Sequence, residues 1–191
     1  MLDACAELVD EVGYEGLTTT LLAERAEVAI GSVYQFFPDK RAIVQALTLR
    51  TLESYLQRLD ERFASEDLTD WWGGVDAAID EYIAMHRTVP GFRILHFGDV
   101  VDLHLLDEQR DNNGVIADQL ARLLTERFGL DGVPDFRFHL EVAVEAVDAL
   151  IKLAFRRQPE GDERVQVEAK ALVREYLHRQ LDARTEAAQP G

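Results

Sequence analysis

The chain is 191 residues long and carries 36 acidic against 20 basic side chains, a formal net charge of -16, with 47% of its residues hydrophobic. Such a length supports a full hydrophobic core, and the composition excludes a disordered chain; without an apolar run long enough to cross a bilayer, it also excludes a transmembrane span. The acidity weighs against a nucleic-acid partner, because affinity for DNA comes largely from Lys and Arg displacing counterions from phosphates.

The opening stretch MLDACAELVDEV is not a signal peptide, since Asp3, Glu7, Asp10 and Glu11 interrupt its apolar residues, and a cytoplasmic protein is expected. Cys5, the single cysteine, lies between Ala4 and Ala6 and reads as a small packing residue. Leu2, Cys5, Leu8, Val9 and Val12 follow helical spacing, and Gly13 is placed to end that helix in a left-handed conformation. Thr18 then caps a short helix from Thr19 to Ala26 by accepting from a free N–H of its first turn. A tight turn leads to a third helix near Ile30 to Phe37, and Pro38-Asp39 opens a fourth through KRAIVQALTLRTLESYLQRLDERFA.

Beyond Ser65 the helices lengthen. Trp72, Val75, Ile79, Tyr82 and His86 form one stripe; Ile116, Leu120, Leu123, Leu124 and Phe128 a second; Val165, Ala169, Leu172, Val173, Tyr176 and Leu177 a third. Between the last two, FRFHLEVAVEAVDALIKLAFRR is apolar on two sides, with Leu140, Val144, Val147 and Ile151 on one and Val142, Ala146 and Ala149 on another. A helix of that kind needs two partners, one of which a second subunit can supply. The chain shows no hairpin signal, no internal repeat and no low-complexity linker before the polar tail ARTEAAQPG.

Charge is unevenly spread. Residues 51 to 191 hold net -12, whereas from Thr18 to Arg50 the four basic residues Arg25, Lys40, Arg41 and Arg50 meet only Glu24, Glu27 and Asp39, net +1. Two short helices joined by a tight turn, the second with a small and polar first turn, have the build of a helix-turn-helix whose second helix enters the major groove by its N-terminal end. Ile30, Gly31, Ser32 and Gln35 then lie on or near one face, Val33 and Phe37 point inward, and Tyr34 and Lys40 reach phosphates on the flanks. Gln35 reads adenine edges or donates to phosphate.

At AEVAIGSVYQFFPDK the sequence resembles the TetR family of transcriptional regulators, in detail over about its first quarter and as a helical layout beyond. Ala26, Val28, Gly31, Ser32, Val33, Tyr34, Phe36, Phe37 and Lys40 stand in register with the family's motif. The resemblance implies an all-α fold: a three-helix N-terminal helix-turn-helix domain, residues 1–50, joined through a long helix to a helical-bundle ligand-binding and dimerisation domain, residues 51–191. It also implies a homodimeric regulator, a repressor released from a near-palindromic operator by a small molecule. DNA contacts are expected from Thr18, Thr20, Ile30, Gly31, Ser32, Tyr34, Gln35, Phe36 and Lys40. Three departures stand out: Glu27 replaces a glycine usual at the turn, Ala29 replaces a capping hydroxyl, and Thr20 with Leu21 replace residues that are often basic.

For the effector, aromatic and histidine residues between Trp71 and His104, with Phe138, suit an apolar cavity with a few polar groups. Trp72, Tyr82, Met85, His86, Phe92, His96, Phe97, His104 and Phe138 are the candidate lining residues, with plain core packing as the alternative. The negative field of this region favours an apolar or amphipathic ligand over a polyanion. No cofactor is indicated, and His96, Asp102 and His104 fit no recurrent zinc spacing. An enzyme is disfavoured because serine occurs only at Ser32, Ser54 and Ser65, none placed as a nucleophile. The rival reading is a relative of the same fold that binds DNA weakly or not at all and acts through protein contacts, which Glu27, Ala29 and the acidic balance favour. No membrane partner is expected.

Overall fold

The computed structural model describes residues 1–65, 67–94, 112–130 and 132–187, with side chains as far as Leu181. Among these residues the regular structure is entirely helical: α1 (Leu2–Gly16), α2 (Thr19–Arg25), α3 (Ile30–Phe36), α4 (Lys40–Ala64), α5 (Trp71–Thr88), α6 (Asn112–Phe128), α7 (Phe136–Arg157) and α8 (Glu163–Ala187). The chain divides into two compact units, Met1–Tyr55 with Met85–Asn112 and Leu56–Ala84 with Asn113–Gly191.

In the first unit the helix boundaries follow from single residues. Thr18 Oγ1 accepts from the Leu21 N–H at 3.1 Å and starts α2, and Asp39 Oδ1 accepts from the Ala42 N–H at 2.8 Å and starts α4. Both satisfy first-turn donors that the helix itself leaves open. Gly13 differs from the sequence expectation. It is strongly non-helical, at φ 69° and ψ 175°, but it kinks α1 rather than ending it, and the helix resumes as far as Gly16. Cys5, Leu8 and Val9 of α1, Leu22 of α2, Val33 of α3 and Ile43, Val44 and Leu47 of α4 close one core, with Leu17 between the first two helices. Each such fully buried side chain contributes about 1.5–3 kcal/mol. Burial pushes the Cys5 thiol up to about 11, so it behaves as an inert packing group.

The chain after α5 also belongs to this unit. Phe92 is buried, Ile94 packs on the same core, and Gly91, at φ +77°, lies so close to α1 that a Cβ there would stand 3.2 Å from the Ala6 carbonyl oxygen. Only glycine meets both demands without strain.

The second unit is built on the expected stripes. Val75, Ile79 and Tyr82 of α5, Ile116, Leu120 and Leu124 of α6, Leu140, Val147 and Ile151 of α7, and Ala169, Val173 and Leu177 of α8 are buried. Helices α7 and α8 pack on each other. Leu172 leaves its stripe: it is 53% exposed, as is Val142 at 36% on the outer side of α7. Polar links run between the helices. Lys170 of α8 pairs with Asp76 and Asp80 of α5, and the Tyr82 hydroxyl donates to Asp148 of α7 at 2.6 Å. No helix of the described residues is long and apolar enough to cross a membrane.

Candidate nucleic-acid interface

Helix α3 is held from one side and bare on the other. Val33 is fully buried and Phe37 packs against the core, while Ile30, Gly31, Tyr34, Gln35 and Phe36 are exposed, Phe36 at 69% and Tyr34 at 54%. An isolated seven-residue helix is not stable alone, so Val33 and its neighbours carry the stability that lets the outer face be chosen for something else. The turn before it is made by backbone bonds from Glu27 N–H to Glu24 O at 3.2 Å and from Val28 N–H to Ala23 O at 3.0 Å. Glu27 takes the left-handed conformation, at φ 55°, which explains why a glycine is usual there. Ala29 occupies the N-cap of α3 with no side-chain cap, as its missing hydroxyl dictates.

The remaining DNA candidates fall into two groups. Thr20 is exposed at the start of α2 and Ser32 is half-buried in α3, whereas the Thr18 hydroxyl is engaged as the α2 cap. Lys40 is half-buried: its Nζ donates to the Tyr14 carbonyl oxygen at 3.0 Å and sits 4.2 Å from the centre of the Tyr14 ring. Of the other basic residues, Arg25 grips both oxygens of Glu11 at 2.9 and 2.5 Å and lies 3.4 Å from Glu7, and Arg50 pairs with Asp3 at 2.7 Å. The Arg25 guanidinium holds the Glu11 carboxyl below its usual range. Periodicity alone did not expose Thr19, whose Oγ1 lies 3.1 Å from the Tyr34 hydroxyl, because that pair joins two helices across fifteen positions.

The effector candidates are divided between the units. Met85, His86 and Phe92 are buried in the first, where the His86 and Phe92 rings meet edge to face at 4.6 Å, and His86 also lines a recess with Asp10, Arg87 and Pro90. Trp72, Tyr82 and Phe138 belong to the second: Arg174 stacks over Trp72, Tyr82 is bound to Asp148, and Phe138 faces solvent. His96, Phe97 and His104 lie outside the described residues, as does Asp102 of the metal reading.

A capped short helix, a tight turn and a second short helix anchored by Val33 with its opposite face bare have the geometry of a helix-turn-helix. The chain belongs to the TetR family of transcriptional regulators: residues 1–47 match the family described as bacterial regulatory proteins, tetR family, and residues 69–181 match the tetracyclin repressor-like C-terminal domain. It is similar to a TetR-family transcriptional regulator from Streptomyces coelicolor, at 43% identity and a TM-score of 0.78, over 93% of this chain and 95% of that one. The fold is also that of FadR from Bacillus subtilis, solved with stearoyl-CoA, at 18% identity and a TM-score of 0.71 over 92% of this chain and 95% of the other. Over 62 residues, 32% of this chain, it is 37% identical to the transcriptional repressor KstR of Rhodococcus jostii, a match that spans 27% of that repressor's length.

Proposed function

We propose that the protein is a cytoplasmic, homodimeric repressor, in which residues 1–50 bind operator DNA and residues 51–191 bind an effector and join the subunits. The observation that carries this reading is α3 itself, anchored by Val33 and offering Gly31, Tyr34 and Gln35 outward. Ile30 and Phe36 beside them supply apolar contact for thymine methyl groups. Thr18, Thr20, Ser32 and Lys40 flank the groove and meet the backbone; Lys40 has further N–H donors beyond the one given to Tyr14. Two such units on a dimer engage half-sites about 34–36 Å apart or a multiple of that spacing.

Support for dimerisation comes from the groove of ≈ 460 Å³ between α7 and α8, lined by Val142, Ala146, Leu172 and Tyr176 among others. Val142 and Leu172 on its rim are solvent-exposed in one chain, an apolar surface that a partner face would cover. For the effector, an apolar or amphipathic molecule fits the net -12 of residues 51–191. Trp72, Tyr82, Met85, His86, Phe92, His96, Phe97, His104 and Phe138 remain the residues proposed to contact it, with no metal or cofactor required. A ligand must favour the released conformation by about 5.5 kcal/mol to move operator occupancy from nearly full to nearly empty.

Selection of duplexes from a random pool with the 191-residue chain, followed by release assays with fatty acids and aromatic compounds, tests both halves. The rival reading, a same-fold protein without DNA binding, is favoured by one observation: Arg25 and Arg50 are consumed by Glu11 and Asp3. It requires that no duplex be enriched.

A further inference from the structure

Arg25 is engaged by Glu11 and Lys40 gives one of its N–H groups to Tyr14, so neutral donors on α2 and α3 add to what these cations offer the DNA backbone. Two hydroxyls stand together there. Thr19 Oγ1, in the first turn of α2, is 3.1 Å from Tyr34 Oη on the exposed face of α3. Tyr34 is more than half exposed and its ring has no core to fix it, so free rotation about its side-chain bonds would scatter the hydroxyl.

The geometry points to Thr19 as a positioning residue: its hydroxyl donates to Tyr34 Oη, which fixes the ring and leaves the Tyr34 O–H to donate to one DNA phosphate. The inference rests on the operator reading above. In this arrangement Thr O–H, Tyr O–H and a phosphate oxygen form a chain in which each bond polarises the next. The contact is neutral on the protein side. It displaces no counterion and carries no base information, so it strengthens binding to every sequence alike and leaves the salt dependence unchanged.

The test is a double-mutant cycle on Thr19→Val and Tyr34→Phe, read as duplex affinity on a selected sequence and on a random one. Each single variant is expected to lose about fivefold on both duplexes, the scale of one net hydrogen bond. The double variant is expected to lose no more than either single one, because Thr19 acts through the tyrosine hydroxyl. Thr19→Ser restores wild-type affinity, and Thr19→Ala, which suits a helix better than valine, reproduces the loss if Thr19→Val folds poorly. Unchanged affinity in Thr19→Val and Thr19→Ala, multiplied losses in the double variant, or failure of Thr19→Ser to rescue each overturns the positioning role while wild-type binding stands. Absence of duplex binding by the wild-type chain overturns the operator reading and this inference with it.

Discussion

Lys40 Nζ donates to the backbone carbonyl of Tyr14 while lying over that residue's own ring, so one lysine ties the end of α1 to the start of α4. Its charge thereby stabilises the fold, and the proposed phosphate contact draws on the same ammonium. Replacing it by methionine, which keeps the stem but removes the ammonium, costs about 1 kcal/mol from the lost hydrogen bond and cation–π contact. Thermal melts should show that loss. Duplex titrations over a salt series should show the log–log slope falling in magnitude by about 0.9, one phosphate contact fewer; a lower melting point with an unchanged slope assigns Lys40 to scaffolding alone.

Gln35 stands exposed on the outer face of α3. Gln35→Ala is expected to lose about 1–3 kcal/mol on the selected operator and little on random DNA, since base contacts specify whereas phosphate contacts do not. Parallel titrations on the two duplexes check it, and equal losses remove Gln35 from the base readers.

At the turn, Glu27 pays for a left-handed backbone that glycine adopts freely. Glu27→Gly is therefore expected to stabilise the protein by up to about 1 kcal/mol, part of it offset by the greater freedom of glycine in the unfolded chain. Chemical denaturation measures the difference. A destabilised variant would mean that Glu27 makes a compensating interaction.

Much of the helix-turn-helix was legible because its signals are local. Thr18 and Asp39 cap from within three residues, and the alternation of Val33 against Tyr34 and Gln35 is a period any helix imposes. What was not legible depends on distant neighbours. Thr19 meets Tyr34 and Lys40 meets Tyr14 only after folding, and Gly91 gains its meaning from Ala6. Leu172 fits the apolar period of α8 yet faces solvent, because periodicity marks an apolar side without saying whether the same chain covers it. The effector candidates are the least legible: aromatic composition serves core and cavity equally, and Phe138 lies exposed while Met85 is buried.

That distinction sets the dimer test. Val142→Asp or Leu172→Asp places a charge on the exposed face of α7 or α8 and should give folded monomers in analytical ultracentrifugation at micromolar concentration. Val173→Asp or Ile151→Asp, at positions buried within the subunit, should instead unfold it. Dimers that survive both exposed substitutions place the interface elsewhere.

Asp162 opens α8: its carboxylate accepts from Arg157 Nε at 2.8 Å and from the Arg164 N–H at 3.1 Å, and these partners hold its pKa below the usual carboxylate value. A depressed folded value means the stabilisation is full above the unfolded pKa and is lost as pH falls through the folded one. Asp162→Asn keeps a cap acceptor but loses the charge that faces Arg157 and the helix N-terminus, so it is expected to lower the melting temperature near neutrality. The gap from wild type should close in acid, where melts of both proteins at descending pH should converge. A gap that persists below the folded pKa would show that the asparagine disturbs packing instead.

Selection of duplexes from a random pool by the wild-type chain, with footprinting of the enriched sequence, tests the operator reading most directly. The expected product is a near-palindrome whose half-site centres are separated by about 34–36 Å or a multiple, protected in the major groove and released when Gln35→Ala is combined with Tyr34→Phe. A pool that shows no enrichment, or binding that survives this double substitution unchanged, would contradict the account.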